Sequence, residues 1–496
     1  MKKLVALLLG LVMVFTMMSF ASADEEPLTI TVMMPDFYAD KEWVEDGNPV
    51  LDAIEKAANV DLKIIWVANS AYTEMTSYTL ADSANMPMVM VLTGARDSIV
   101  IDSARAGAFW DLTDYIAQFP NLAAGSQGIY DNISVDGRVY GIYRNRAYPR
   151  AGVYYRSDIA AKMGITEEPT TIDELTKLAE ALSAYSDDTY ALNMCKYVAG
   201  TINYITVAMG APQTWGVDEN GDIYPAHKSP AYLEGLNWLR HLYEIGGIDP
   251  DFMTIESGNW DSIERTGKAF MRFDCLDNCY RQQEWFENNE GTTETIFAMV
   301  NGLKNKDGNI TVWPQNAGFS GEIAITKTVK DEATMLRVMK FLDWCNSAEG
   351  QTLLNWGLDG ETYFIHSDGF RYTKPESGED VSEYVYKIQH SLNQLGMNVN
   401  GDLTPKAATT ALRDEYNALN IAMTPYAVAN PCYPLTSETD VMFGSTLVTK
   451  LEDAHVQYIA GIISEDELRA VWQEWEDEGG AQMTKEYNDA YHAAKK

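Results

Sequence analysis

Basic side chains are scarce: 37 Lys and Arg stand against 72 Asp and Glu, a formal net charge of −35 over 496 residues. A phosphate backbone or an anionic membrane surface would repel such a chain, so nucleic acid is not an expected partner. Cysteine is also rare. Cys195, Cys275, Cys279, Cys345 and Cys432 are an odd set that cannot all pair within one chain, so no disulfide framework is expected. Cys275 and Cys279 lack the CxxC spacing of a redox pair and have no second pair to complete a zinc site, which leaves buried thiols as the expectation. GxxxxGK[ST], HExxH and GxSxG are all absent, and the six histidines are scattered without zinc-ligand spacing. No cofactor or metal is therefore expected, and nucleophilic or metal-assisted catalysis has no support. A carboxylate pair of the kind glycosidases use stays open, because so many acidic residues allow many pairs. Internal repeats and low-complexity tracts are missing too.

Hydrophobic residues make up 46% of the chain, with 12 Trp, 28 Tyr and 15 Phe, which is the composition of a globular protein of roughly three domains. At the start, Lys2 and Lys3 precede an apolar run, Leu4 to Met18, and Ala21-Ser22-Ala23 has the small-x-small form that signal peptidase accepts. Residues 1–23 are read as a signal peptide, because the run is shorter than a membrane span and is followed at once by Asp24, Glu25 and Glu26. No later uncharged run is long enough to cross a bilayer. No Cys stands at the cleavage point to accept a lipid, so the expected location is periplasmic or extracellular.

Leu28 to Met34, Leu62 to Val67 and Met88 to Leu92 read as strands, separated by helices over Pro49 to Ala58 and Ala71 to Ala84. This β-α-β-α-β order implies a parallel sheet whose strands end at one edge, where loops gather and ligands bind. A second α/β block follows. Thr171 and Glu174 are spaced as a capping box, and Leu233, Leu236, Leu239 and Leu242 line a helix that Gly246-Gly247 can stop. Asp218 to Asp222 resembles a calcium loop but lacks the twelfth-position Glu, and reads as a hairpin turn. From Gly321 a strand leads to a helix over Asp331 to Asn346, whereas 371–440 is less periodic. The end is helical again.

Several stretches, in order, resemble the extracellular solute-binding proteins of carbohydrate ABC importers, the LplA-like branch of binding-protein family 1. Phe109 to Ile116, Val139 to Ile142 and Tyr155-Arg156-Ser157-Asp158 carry the resemblance in the first half. Gly247-Ile248-Asp249-Pro250, Ser347 to Gln351 and Gly357 to Tyr363 continue it. The resemblance implies an α/β, two-lobed periplasmic-binding-protein fold, type II-like, with a ligand cleft between lobes that shut by hinge motion. It places 27–143 with 321–370 in lobe 1 and 144–320 with 371–496 in lobe 2. It further implies a non-enzymatic monomer that captures an oligosaccharide and hands it to ABC transporter permease subunits. A secreted glycoside hydrolase is the alternative from another class.

A sugar offers an apolar C–H face and a rim of hydroxyls, so its site needs flat aromatic surfaces and planar polar groups. At the expected strand ends these are Asp36 and Tyr38, then Arg96. Arg144, Arg146 and Tyr148 in the crossover suit hydroxyls or an acidic sugar, or else neighbouring carboxylates. In the second lobe the candidates are Arg272 and Asp274, with Trp260 and Trp313 as stacking platforms or core covers. Asn316 and Glu322 bracket the second crossover.

Overall fold

The computed structural model describes residues 26–38, 41–82 and 84–495. The expected signal segment, residues 1–23, lies outside them. In chain order the strands are β1 (Leu28–Asp36), β2 (Val60–Ala68), β3 (Val89–Leu92), β4 (Gly141–Asn145), β5 (Ala151–Arg156), β6 (Tyr190–Leu192), β7 (Trp215–Val217), β8 (Ile223–Pro225), β9 (Ala269–Cys275), β10 (Phe297–Val300), β11 (Phe319–Ile325), β12 (Phe364–Ile365) and β13 (Arg371–Tyr372).

The first lobe is built on the sheet β2-β1-β3-β11-β4. β1 pairs in parallel with β2 and β3, while β11 runs antiparallel between β3 and β4. The helix Pro49–Ala58 forms as the sequence suggests: Asn48 accepts from the amides of Val50 and Leu51, Pro49 starts the first turn, and left-handed Asn59 ends it. Its Val50, Leu51 and Ile54 pack with Ile30, Val32 and Ile323 of the sheet and with Met335, Val338 and Leu342 of the helix Glu332–Cys345. Periodicity marks the strand from Gly321, and what it does not reveal is that this strand, β11, returns to lie antiparallel between β3 and β4.

The second lobe has the sheet β10-β5-β9-β6, with β5 antiparallel to β9 and β10, and β6 parallel to β9. The helix Ile172–Ser183 starts with the expected capping box of Thr171 and Glu174. The helix Pro230–Glu244 buries Leu236, Leu239 and Leu242, and left-handed Gly246 follows its end. Asp218 to Asp222 is a hairpin turn joining β7 and β8, where Asp218 Oδ1 accepts from the amides of Asn220 and Asp222. All five cysteines are buried and free.

One expected boundary needs correction. Residues 371–496 were assigned to lobe 2, yet Ile388, Leu392, Leu395 and Val399 pack into the first core. This stretch is held there by polar anchors that leave no periodic signature. Asn48 Nδ2 donates to the Ile388 carbonyl at 2.8 Å, and His390 Nε2 lies 2.9 Å from Asp36 Oδ1. From the helix Ala411–Met423 onward the chain packs on the second lobe, where Leu412 meets Tyr154 and Phe286.

Candidate functional site

Both sheets turn an edge toward the crossovers. β1, β3 and β4 run parallel and end together, whereas β5 begins at the edge where β9 and β6 end. Residues 146–150 join the end of β4 to the start of β5, and residues 301–318 join the end of β10 to the start of β11. The two strand edges therefore face each other across a cleft floored by the crossovers. This is the geometry that gathers loops and leaves backbone groups for a ligand.

Two cavities lie between first-lobe and second-lobe residues. One of about 720 Å³ has Arg96, Asp97 and Ser98 on one side and Leu435, Thr436 and Asp440 on the other. A second of about 360 Å³ lies between Ile129 and Asn132 on one side and Tyr148, Gln213 and Asn316 on the other. Asn430 and Tyr433 line both. A further cavity of about 480 Å³, between His227 and Glu476, belongs to the second lobe alone.

Three of the candidates, Arg96, Tyr148 and Asn316, line these cavities, and Tyr38 and Arg146 stand just beyond the ends of β1 and β4. Arg96 lines the larger cavity, donating to the Ser134 carbonyl at 2.6 Å and across the lobes to the Leu435 carbonyl at 2.7 Å. Burial lowers its pKa, against the opposing pull of Tyr487 and Glu322. Tyr148 and Asn316 line the smaller cavity, and Asn316 ties the crossovers together by donating to the Ala147 carbonyl at 3.0 Å. Half-buried Tyr38 stands beyond the end of β1 with its ring 5.1 Å from that of Tyr386. Arg146 is exposed on the first crossover.

The others are placed differently. Asp36 is buried and spent on His390, Ser391 and the Tyr38 amide, so it positions the loop around it. Arg144 is buried, with its guanidinium donating to the Ser320 and Gln394 carbonyls and to the Gln394 side chain, which pins residues 394–397 to β4. Trp260 is buried beneath the Arg272 guanidinium, 3.7 Å from its ring centroid, and donates to the Asn193 carbonyl. Arg272 is itself buried between Asp261 at 2.7 Å and Asp274 at 2.5 Å. Asp274 also accepts from Asn278 at 2.6 Å, so both charges are neutralised within the lobe. Trp313 is a core residue of the second lobe. Glu322 is buried in β11, its Oε2 has no hydrogen-bond partner, and burial pushes its carboxyl up to about 8. Six of these seven, all but Asp274, are buried in the lobes themselves.

Residues that sequence reading did not nominate also stand at the edge. Tyr197, half exposed, follows β6, a strand of three residues too short to signal its own end. Arg150 and Arg281 meet at Asp277, which opens the helix Asp277–Glu290 just beyond β9. Arg150 was within reach of the sequence, being part of the same cationic stretch as Arg144 and Arg146. Among the described residues no cluster of His, Cys, Asp and Glu could hold a metal ion.

The model of a family described as bacterial extracellular solute-binding protein matches residues 50–357, more than half of the chain. The chain is 29% identical over 486 residues to lipoprotein LipO of Bacillus subtilis (strain 168), covering 96% of this chain and 94% of the relative. It is 28% identical over 455 residues to the polygalacturonan/rhamnogalacturonan-binding protein YtcQ of the same organism, covering 89% and 88%. Its fold matches the crystal structure of an extracellular solute-binding protein from Bifidobacterium longum subsp. infantis with a TM-score of 0.69 at 16% identity, covering 95% of this chain and 99% of that one. With two lobes, a crossover-floored cleft and a family match across both, the chain belongs to the bacterial extracellular solute-binding proteins.

Proposed function

We propose that this protein captures an oligosaccharide outside the cytoplasmic membrane, closes its lobes over it and delivers it unchanged to the permease subunits of an ABC importer. The observation that carries this reading is the near full-length similarity to YtcQ, named for binding polygalacturonan and rhamnogalacturonan. The cleft chemistry supports it: Tyr148 and Tyr433 offer ring faces and Asn430 an amide in the cavities between the lobes, and Tyr38 and Tyr197 stand beyond the ends of β1 and β6. A glycosidase would need a carboxylate pair flanking the substrate. Of the carboxylates on the second-lobe edge, Asp274 is held by Arg272 and Asp277 by Arg150 and Arg281, which favours capture over hydrolysis. Ligand binding shuts the hinge only to the extent that the closed state binds more tightly.

LipO is a lipoprotein by name. Association with the membrane through the transporter is the route of retention proposed here for this chain. The functional reading is tested by a thermal-shift screen over plant and host glycans with an assay for new reducing ends. Saturable stabilisation with intact sugar is expected. Released reducing ends would assign the protein to the enzymes instead.

A further inference from the structure

The geometry points to a carboxylate-binding site on the second-lobe edge of the cleft, built by Arg146, Arg150 and Arg281 around Asp277, that takes a carboxylated sugar. This rests on the oligosaccharide reading above and narrows its ligand class.

In a chain with almost two carboxylates per cation, arginines elsewhere have acids to spare. Arg272 touches Asp261 and Asp274, Arg138 touches Asp111 and Asp114, and Arg105 touches Asp136 and Glu438. The cleft edge inverts that ratio. Two guanidiniums share the single carboxylate of Asp277, Arg150 reaching its Oδ1 at 3.3 Å and Arg281 taking its Oδ2, while Arg146 has neither an ion pair nor a side-chain hydrogen bond among the described residues. Arg150 keeps a second unmet need, because its Nε is buried without an acceptor. Partial desolvation first, and then the charges of Arg150 and Arg281, lower the pKa of Arg146. Asp274 is committed to Arg272 and Asn278, and Glu284 to Arg413.

Two neighbouring features fit the same ligand. The helix Asp277–Glu290 starts at this spot, so its amide-rich end adds positive potential to that of the guanidiniums. Tyr416 also acts on Arg146, and its ring stands 5.7 Å from that of Tyr280, offering an aromatic wall for the apolar face of a pyranose. Closing the lobes over a neutral glycan would desolvate an unbalanced group of cations. A ligand carboxylate offsets that cost through charge-assisted, bidentate hydrogen bonds.

Isothermal titration of the full chain with trigalacturonate, sialyllactose and neutral galactotriose tests the site and separates two sources of the carboxylate. The expected result is that at least one acidic sugar binds about 10-fold or more tightly than galactotriose, and less tightly as salt is raised. Arg146→Gln and Arg281→Gln, both at exposed side chains, should each weaken that acid by roughly 10- to 100-fold and weaken galactotriose by less. A galactotriose affinity equal to or above both acids overturns the inference and leaves the oligosaccharide reading standing. So does an acid whose affinity neither variant changes. Failure of every glycan, neutral or acidic, to bind would overturn both.

Discussion

Single residues set the pH dependence of this fold. Glu322 keeps its proton up to about pH 8 in the native state because burial penalises its charge, whereas the unfolded chain releases it near 4.5. Between those values the native state binds the extra proton, so stability falls as pH rises, by at most about 1.4 kcal/mol per unit. Glu322→Gln, which cannot ionise, is expected to flatten the melting temperature over this window. An unchanged profile would show that Glu322 finds a counter-charge. His227 and His455 act in the opposite direction. Buried beside Trp472, they stay neutral down to about 3, so stability is lost as pH falls from 6.5 toward that value. Their imidazole NMR signals should not titrate between about pH 5 and 8. At this scale the sequence was a partial guide. Residue type and place at a strand end or crossover pointed to Arg96, Tyr148 and Asn316, which line the cavities, but not to which neighbour each side chain would take. Trp260 suited a platform or a core cover by type, and the Arg272 guanidinium over its ring makes it the latter, while Arg144 lies within β4 and Arg146 just beyond its end.

At the scale of elements, periodicity and capping were legible wherever local forces dominate. The helices at Pro49, Ile172, Pro230 and Glu332 follow from apolar spacing and end signals, and so does the hairpin at Asp218. Elements fixed by distant partners were not. The stretch 388–399 owes its place to Asn48, Asp36 and Arg144, groups far away in sequence. The start of β11 depends on a close approach of backbone to backbone. Gly321 is left-handed, and a Cβ there would lie 2.1 Å from the Leu92 carbonyl oxygen. Gly321→Ala is therefore expected to destabilise the first lobe by about 2 kcal/mol or more, measurable by denaturant unfolding. A loss below about 0.5 kcal/mol would mean that β11 can shift away from β3 without cost.

For the whole molecule, the lobes touch at the cleft mouth as well as at the crossovers. Arg96 reaches the Leu435 carbonyl, Arg105 bridges Asp136 of its own lobe and Glu438 of the other, and Val441 packs against the first-lobe cluster around Met90. These contacts join one lobe to the other, so separating the lobes would break them. Arg105 is partly exposed and its pair with Glu438 is a surface one, worth about 0–1 kcal/mol. Arg105→Ala is expected to raise the ligand Kd by no more than about fivefold, through faster dissociation, as read by stopped-flow fluorescence. A change confined to the association rate would place Arg105 in ligand steering instead of lobe closure. The most direct trial of capture without chemistry is native mass spectrometry of the protein after incubation with a pool of pectic and host oligosaccharides. Closure over an intact guest predicts a one-to-one complex whose mass is that of the chain plus an unaltered glycan. Free protein accompanied by shortened glycans would contradict it.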